Sequence, residues 1–300
     1  MVQTYSYSPQ GRMYRSKSAL SNHDSRVARA GPVVIIYPMP SSLSAVSIIV
    51  PTFREAPNIG PLVERVFAAL AQTDRRAELI LVDDNSKDGS EAIVESLRAQ
   101  YPVRLIVRRD ARGLSSAVLT GFREARFDRF VVLDADLQHP PEMIPVMLDR
   151  LEEGGCDFVI GTRYGGEGSI VDHWPLLRRL GSRVATLFAK PLMPVSDPMS
   201  GFFALHRGVW ERAESLNPIG YKIALELYVK SRCSGPAEVP IHFATRTAGE
   251  SKLNIREQVR YLRHLGRLYR FRFPLLTAIL LFVVVAGTGA IALLAVRALW

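Results

Sequence analysis

The sequence predicts an α/β fold, a mainly parallel sheet with helices on both faces, continued at its C-terminus by a basic interfacial helix and one transmembrane helix. Three observations carry this expectation. Between residues 45 and 163 five apolar runs alternate with amphipathic segments at helical spacing. From 256 to 270 arginines recur at steps of four and three. From Pro274 to Val296 no residue is charged.

Taken in order, residues 1–44 are polar, rich in Ser, Arg and Tyr, and without periodicity, which predicts a disordered basic tail. The run Val33 to Tyr37 is too short for the core of a signal peptide. The runs "VSIIVP" (46–51), "ELILVDD" (78–84), "VRLIVRR" (103–109), "RFVVLDAD" (129–136) and "DFVIGTR" (157–163) then read as buried strands. Between them "NIGPLVERVFAALAQ", "SEAIVESLRAQ", "LSSAVLTGFREAR" and "PEMIPVMLDRLEEG" read as helices. Such alternation gives a parallel sheet covered on both faces, with ligands at the carboxyl ends of the strands. The domain is expected to span 45–252.

The net charge of +9 belongs to the ends of the chain. Residues 1–44 carry five Lys/Arg and one acid, and residues 252–300 eight and one, whereas the middle has 25 basic against 27 acidic residues. The middle has no basic patch interleaved with aromatics, so nucleic-acid binding is not expected. Only Cys156 and Cys233 are present, without a metal-site or disulfide spacing.

Arg256, Arg260, Arg263, Arg267 and Arg270 lie within a stripe roughly 80° wide on a helix, with Val259, Leu262, Leu265, Leu268 and Tyr269 on the rest of its circumference. Next to an apolar span, that pattern predicts an interfacial helix over 253–273 that meets anionic headgroups. The uncharged run 274–296 would reach about 34 Å as a helix, enough to cross a bilayer. Arginines precede it and only Arg297 follows, which predicts a cytoplasmic globular body anchored by a single C-terminal span.

Three strand ends carry carboxylates: Glu55, the pair Asp83/Asp84, and Asp134/Asp136. No GxGxxG follows the first strand, which disfavours a dinucleotide-binding Rossmann site, and no GxxxxGK[ST] occurs, so a P-loop is absent. A phosphate ligand without a glycine cradle can instead be held through a divalent cation on carboxylates. An isolated DxD is weak, because Asp is common at turns.

Here it is one of an ordered series. "SIIVPTFREAPNI", "ILVDDNSKDGS", "RGLSSAVLTGF", "VVLDADLQHPPE", "DPMSGFFAL" and "GYKIALEL" together resemble the GT-A domain, Rossmann-like in form, of family 2 inverting glycosyltransferases. Within that family they resemble the dolichol-phosphate mannose synthase and polyprenyl-phosphate glycosyltransferase group. The resemblance covers about residues 45–255. It implies metal-dependent transfer of a hexose, mannose from GDP-mannose, to a polyprenyl or dolichyl monophosphate. It implies Mg²⁺ or Mn²⁺ at Asp134, Asp136 and Gln138, and a nucleotide-sugar site at Pro51, Thr52, Glu55, Asp83, Asp84, Arg112 and Ala135. It also implies acceptor or diphosphate contacts from Arg163, Arg178, Ser182, Lys222, Arg246, Ser251 and Lys252, with Asp134, Asp136, Arg163, Arg178 and Lys222 as the catalytic set. His139 is expected to serve the turn or the metal loop rather than act as a base. A processive synthase is disfavoured by the absence of QxxRW. A UDP-glucose enzyme using the same lipid is the rival reading, and a binding module on an inactive GT-A fold the non-enzymatic one.

Overall fold

The computed structural model describes residues 44–164, 169–170, 184–217, 222–233, 235–244, 255–279 and 282–283, together with two short strands near the N-terminus. Those strands, β1 (Tyr5–Tyr7) and β2 (Met13–Arg15), pair antiparallel, Tyr5 opposite Arg15, within the tail expected to carry no regular structure. Their tyrosines suit a strand. The rest of the tail lies outside the described residues.

The body is a seven-stranded sheet. Its strands are β3 (Ala45–Thr52), β4 (Arg76–Asp83), β5 (Val103–Val107), β6 (Arg129–Val132), β7 (Phe158–Thr162), β9 (Phe203–His206) and β10 (Ala237–Pro240). Their order is β10-β7-β9-β6-β3-β4-β5, and every pairing is parallel except those of β9, which runs antiparallel between β6 and β7. A separate pair, β8 (Ser169–Ile170) with β11 (His242–Phe243), is parallel. The five predicted strands are all present. β9 and β10 were not foreseen.

The helices are α1 (Ala56–Leu70), α2 (Ser90–Leu97), α3 (Leu114–Glu124), α4 (Ile144–Glu152), α5 (Arg207–Glu211), α6 (Ile223–Lys230) and α7 (Ile255–Arg272), with further helical turns over 184–189. Alternate residues of β3 serve opposite faces, as the two-residue period of a strand requires. Ile48 and Val50 belong to the apolar cluster that includes α1 and α4, while Ile49 belongs to the one on the opposite face that includes α3, α6 and α7. Gly121 lets α3 approach the sheet, because a Cβ there would collide with the Ile49 side chain.

The expected strand 129–136 is too long. β6 stops at Val132, although Leu133 N–H still reaches Ile49 O at 3.3 Å. The next N–H, that of Asp134, donates to Nδ1 of His139 at 3.2 Å, so the ladder ends and the chain turns. Leu137, with φ of 61°, completes that turn. Both aspartates are therefore loop residues.

Helix α7 occupies most of the expected interfacial segment. Arg260, Arg263, Arg267 and Arg270 are exposed, as are Val259 and Leu262, while His264, Leu265 and Leu268 are buried against the body. Much of the apolar face expected to accompany the stripe is thus covered by protein. Tyr261 and Tyr269 donate their hydroxyls to Ala185 O and Phe188 O at 2.7 and 2.8 Å, tying the turns 184–189 to α7. Of the expected span, 274–279 and 282–283 are described, and both are helical. Among the described residues no helix is long and apolar enough to cross a membrane, and the remainder of the span lies outside them.

Candidate active site

The parallel strands deliver their carboxyl ends to one edge of the sheet, where two neighbouring loops are locked together. Thr52 Oγ1 donates to Asp83 Oδ1 at 3.3 Å, Arg54 N–H to Ser86 Oγ at 2.8 Å, and Ala56 N–H to Asp88 Oδ2 at 3.1 Å. Asp83, itself buried, accepts Ser86 N–H at 2.7 Å and the Ser86 hydroxyl. Arg54, Asn85 and Lys87 adopt positive φ of 60°, 57° and 53°. Non-glycine residues take that conformation at a cost and cluster at functional loops.

Asp84 lies in a second bracket. Arg108 pairs with its Oδ1, and Gly113 N–H donates to its Oδ2 at 2.7 Å. Arg108, buried as well, also reaches Ser116 Oγ and Gly113 O, closing the 108–113 loop. That loop presents Arg112, whose guanidinium lies 5.9 Å from the Phe53 ring, with Arg54 5.2 Å from the same ring. Glu55 precedes α1 and accepts Asn58 Nδ2 at 2.7 Å, and Pro51 is buried at the end of β3. The structure thus brings Pro51, Thr52, Glu55, Asp83, Asp84 and Arg112 to one end of the sheet.

The Asp134 loop follows β6 at the same edge. Ala135 and Asp136 are buried, while the Asp134 side chain keeps about a third of its exposure (34%). Asp136 Oδ1 accepts Gln138 N–H at 3.2 Å. Gln138 is tied to Ala244 twice, by Nε2 to Ala244 O and by Ala244 N–H to Gln138 O, each at 3.0 Å. His139 is buried between Phe202 and Phe243. Its burial lowers its pKa, with Asp134 and Asp136 pulling the other way. Its Nδ1, by accepting the Asp134 amide proton, shapes the turn.

Two carboxylates on one turn make a donor set of hard oxygens. Among the described residues no group of three or more His, Cys, Asp or Glu side chains could hold a metal. Two carboxylates nevertheless suit Mg²⁺ or Mn²⁺, which are held by one or two carboxylates and complete their shells with water and substrate phosphates. Room exists for such a shell: Gly201 faces Asp134, and a Cβ there would lie 3.3 Å from Asp134 Oδ2.

Cations face this loop. Arg163, just beyond β7, forms a bidentate pair with Asp197, Nε to Oδ2 at 2.6 Å and Nη2 to Oδ1 at 2.9 Å, and lies 5.1 Å from the Phe243 ring. Asp197 is completely buried. Lys222, the residue preceding α6, donates Nζ to Met199 O at 2.7 Å. Part of the Lys222 chain reaches the surface, but its ammonium end is enclosed. Burial, and then the Arg163 charge, push its pKa down to about 7, while Asp197 and Asp134 act in the opposite sense.

Arg178, Ser182, Arg246, Ser251 and Lys252 lie outside the described residues. Asp197 and Arg108 were missed by sequence reasoning. Asp197 sits in the quoted "DPMSGFFAL", but nothing marks a lone Asp before Pro as a buried counter-ion.

The family model described as Glycosyl transferase family 2 matches residues 47–212. The chain is 47% identical over 257 residues to a dolichol-phosphate mannosyltransferase of Mycosarcoma maydis, covering 82% of this chain and 87% of that protein. It is 46% identical to one of Saccharomyces cerevisiae, covering 76% and 88%. Among solved structures it is similar to glucosyl-3-phosphoglycerate synthase from Mycobacterium tuberculosis in complex with Mn²⁺, uridine diphosphate and glucosyl-3-phosphoglycerate. That similarity has a TM-score of 0.57 at 18% identity, over 76% of this chain and 80% of the other, and concerns the fold alone.

Proposed function

The chain belongs to glycosyl transferase family 2, and from that premise we propose that it moves mannose from GDP-mannose, with inversion, onto the phosphate of a dolichyl or other polyprenyl monophosphate. The names of its relatives support the sugar and the lipid. The observation on this chain that carries the reading is the approach of two enclosed cations, Arg163 and Lys222, to the loop of Asp134 and Asp136. Such a site suits two phosphorylated substrates that repel one another.

In this reaction an acceptor phosphate oxygen forms a bond to the sugar C1. The bond from C1 to the donor diphosphate breaks, and the nucleoside diphosphate leaves with the electron pair. The acceptor is a phosphate monoester with a second pKa near 6, so it is largely ionised at neutral pH and no side chain has to deprotonate it. What the protein supplies is alignment and charge neutralisation. Asp134 and Asp136, with Gln138 beside them, would hold Mg²⁺ or Mn²⁺, which would neutralise the diphosphate. Arg163 is held in place by Asp197 and meets acceptor or leaving phosphate. Lys222, uncomfortable as a buried cation, gains most from an arriving anion. The locked loops of Asp83 and Asp84 form the nucleotide end.

The body works at the cytoplasmic face of a membrane in this reading. Exposed Leu275, Leu276, Ile279, Phe282 and Val283 continue from α7, and Val184, Leu187 and Phe188 are exposed on the turns that its tyrosines hold. Apolar side chains beside a row of arginines fit an anionic bilayer surface.

The test is transfer from radiolabelled GDP-mannose, UDP-glucose and UDP-GlcNAc, each offered dolichyl and undecaprenyl phosphate, with and without chelator. Mannolipid formed from GDP-mannose in a metal-dependent manner is expected. Transfer from UDP-glucose alone would replace the donor assignment, and full activity after metal stripping would remove the metal from it.

A further inference from the structure

Helix α6 begins beside the active site and ends in a buried polar cluster that the chemistry above does not use. Lys222 precedes its first turn, and Glu226 and Lys230, four residues apart, share one face of it. Glu226 is 1% exposed; its Oε1 accepts Lys230 Nζ at 2.7 Å and Asn217 N–H at 2.9 Å. Lys230 also donates to Ser215 O at 2.6 Å. The other oxygen, Oε2, points at His264 of α7, whose Nδ1 lies 4.0 Å away. His264 is 2% exposed, and neither Glu226 Oε2 nor His264 Nε2 has a hydrogen-bond partner among the described residues.

Helix packing alone does not call for this. Leu265 and Leu268 already bury the adjoining surface of α7, and an apolar residue at 264 would be the cheaper filling, since an unpartnered buried polar atom is costly. What a buried polar pair provides that leucines do not is register: sliding α7 past α6 would carry His264 away from Glu226, the carboxylate it faces among the described residues. The charges around His264 are Glu226 and Lys230 from α6 and Arg267 from α7 itself.

We propose that His264 is a positioning residue which, through Glu226, sets the register of the arginine-bearing helix α7 against α6, the helix that Lys222 immediately precedes. The membrane-facing arginines and the active-site ammonium then keep a fixed separation. A lipid acceptor, whose phosphate has to sit at both, feels that separation, whereas a soluble nucleotide sugar does not. The acceptor arm of this inference rests on the function proposed above; the structural arm does not.

The experiment compares full-length wild type, His264→Leu and His264→Gln in vesicles containing dolichyl phosphate, with GDP-mannose as donor. The leucine variant should keep or raise the thermal midpoint, raise KM for dolichyl phosphate about tenfold and leave KM for GDP-mannose unchanged. Hydrogen exchange should quicken at amides 222–226 and 259–268. Glutamine, which can donate to Glu226 Oε2, should restore both the acceptor KM and the exchange rates. An unchanged acceptor KM, or both KM values rising together with a lower midpoint, would overturn the proposal. Should the leucine variant fail to fold, Glu226→Gln has to reproduce the selective acceptor defect, and a wild-type acceptor KM there would equally overturn it. If the wild type transfers no mannose at all, the functional reading fails, while the exchange comparison still decides whether His264 couples the helices.

Discussion

At the ends of β3 and β4 each buried carboxylate is answered from its own neighbourhood: Asp83 by Thr52 and Ser86, Asp84 by Arg108 and Gly113. Around Arg163 and Lys222 the polarity is reversed. Arg163 has Asp197, but the Lys222 ammonium, held by a backbone carbonyl, lies in a place that disfavours its charge. The difference separates preorganisation from readiness to bind. The end proposed to take the nucleotide has its charges already matched and should hold its shape before substrate arrives, whereas the end proposed to take phosphate, with a cation that burial disfavours, should improve when an anion does.

The largest expected effect falls on the matched side. Asp84→Ala leaves the buried Arg108 guanidinium without its carboxylate, and breaking such a pair from one side costs about 3–5 kcal/mol. Thermal or urea unfolding should show that loss, with nucleotide binding failing alongside. A midpoint close to wild type would mean that the bracket is not preorganising anything.

Next is Asp134→Asn, on a side chain with about a third of its exposure (34%). Its stability should change by no more than about 0.5 kcal/mol, while mannosyl transfer falls roughly 10²–10³-fold, the range seen when one electrostatic stabiliser is removed. Chelation should mimic it in the wild type and add little in the variant. An unfolded or a fully active Asp134→Asn protein would each break the contrast.

Lys222→Met should separate the two properties on the other side of the cleft. Losing one charge-assisted contact, worth roughly 1.5–3 kcal/mol, should lower acceptor kcat/KM about ten- to a hundredfold. The folded-state pKa of Lys222 lies below its unfolded value, so burying the charged form weakens the fold at and below about pH 7, and that cost is relieved as pH rises toward 10.5. Methionine removes the cost, and the variant's midpoint at pH 7 should exceed wild type. In the wild type KM for the acceptor should rise from pH 6.5 to 8.5 as the ammonium discharges; in the variant that slope should flatten. A destabilised Lys222→Met would show the lysine to be structural.

The smallest effect belongs to the rim. Phe188→Ser should weaken binding to anionic vesicles a few-fold, in line with removing one exposed apolar side chain, with transfer to a short soluble prenyl phosphate unchanged. Equal loss on both acceptors would place Phe188 inside the site.

The two sides also differ in how far the sequence discloses them. The parallel strands from 45 to 132 announce themselves through apolar runs with helical patterns between them, and the carboxylates at their ends follow from that reading. β9 does not, because "FALH" is four residues long and its neighbours in the sheet are β6 and β7, more than forty residues away along the chain. Short apolar runs carry no period that distinguishes strand from helix. Asp197 and His264 were invisible for a related reason. Each is a single polar residue whose burial depends on a distant partner, Arg163 in one case and Glu226 in the other. The end of β6 was misplaced because a side chain, His139, and not the backbone, stops its ladder.

The antiparallel insertion of β9 also orders events during synthesis. The strands β3 to β6 can associate as soon as residue 132 has left the ribosome, since each neighbours another of the four. β7 cannot join them: both of its partners, β9 and β10, are translated later. At about 5–20 residues per second, several seconds pass before β9 emerges, during which the apolar strand Phe158–Thr162 has no place in the sheet. A nascent chain that has emerged only as far as residues 165 to 200 would therefore carry an open strand edge on β6 and an unclaimed strand together, a state open to chaperone capture.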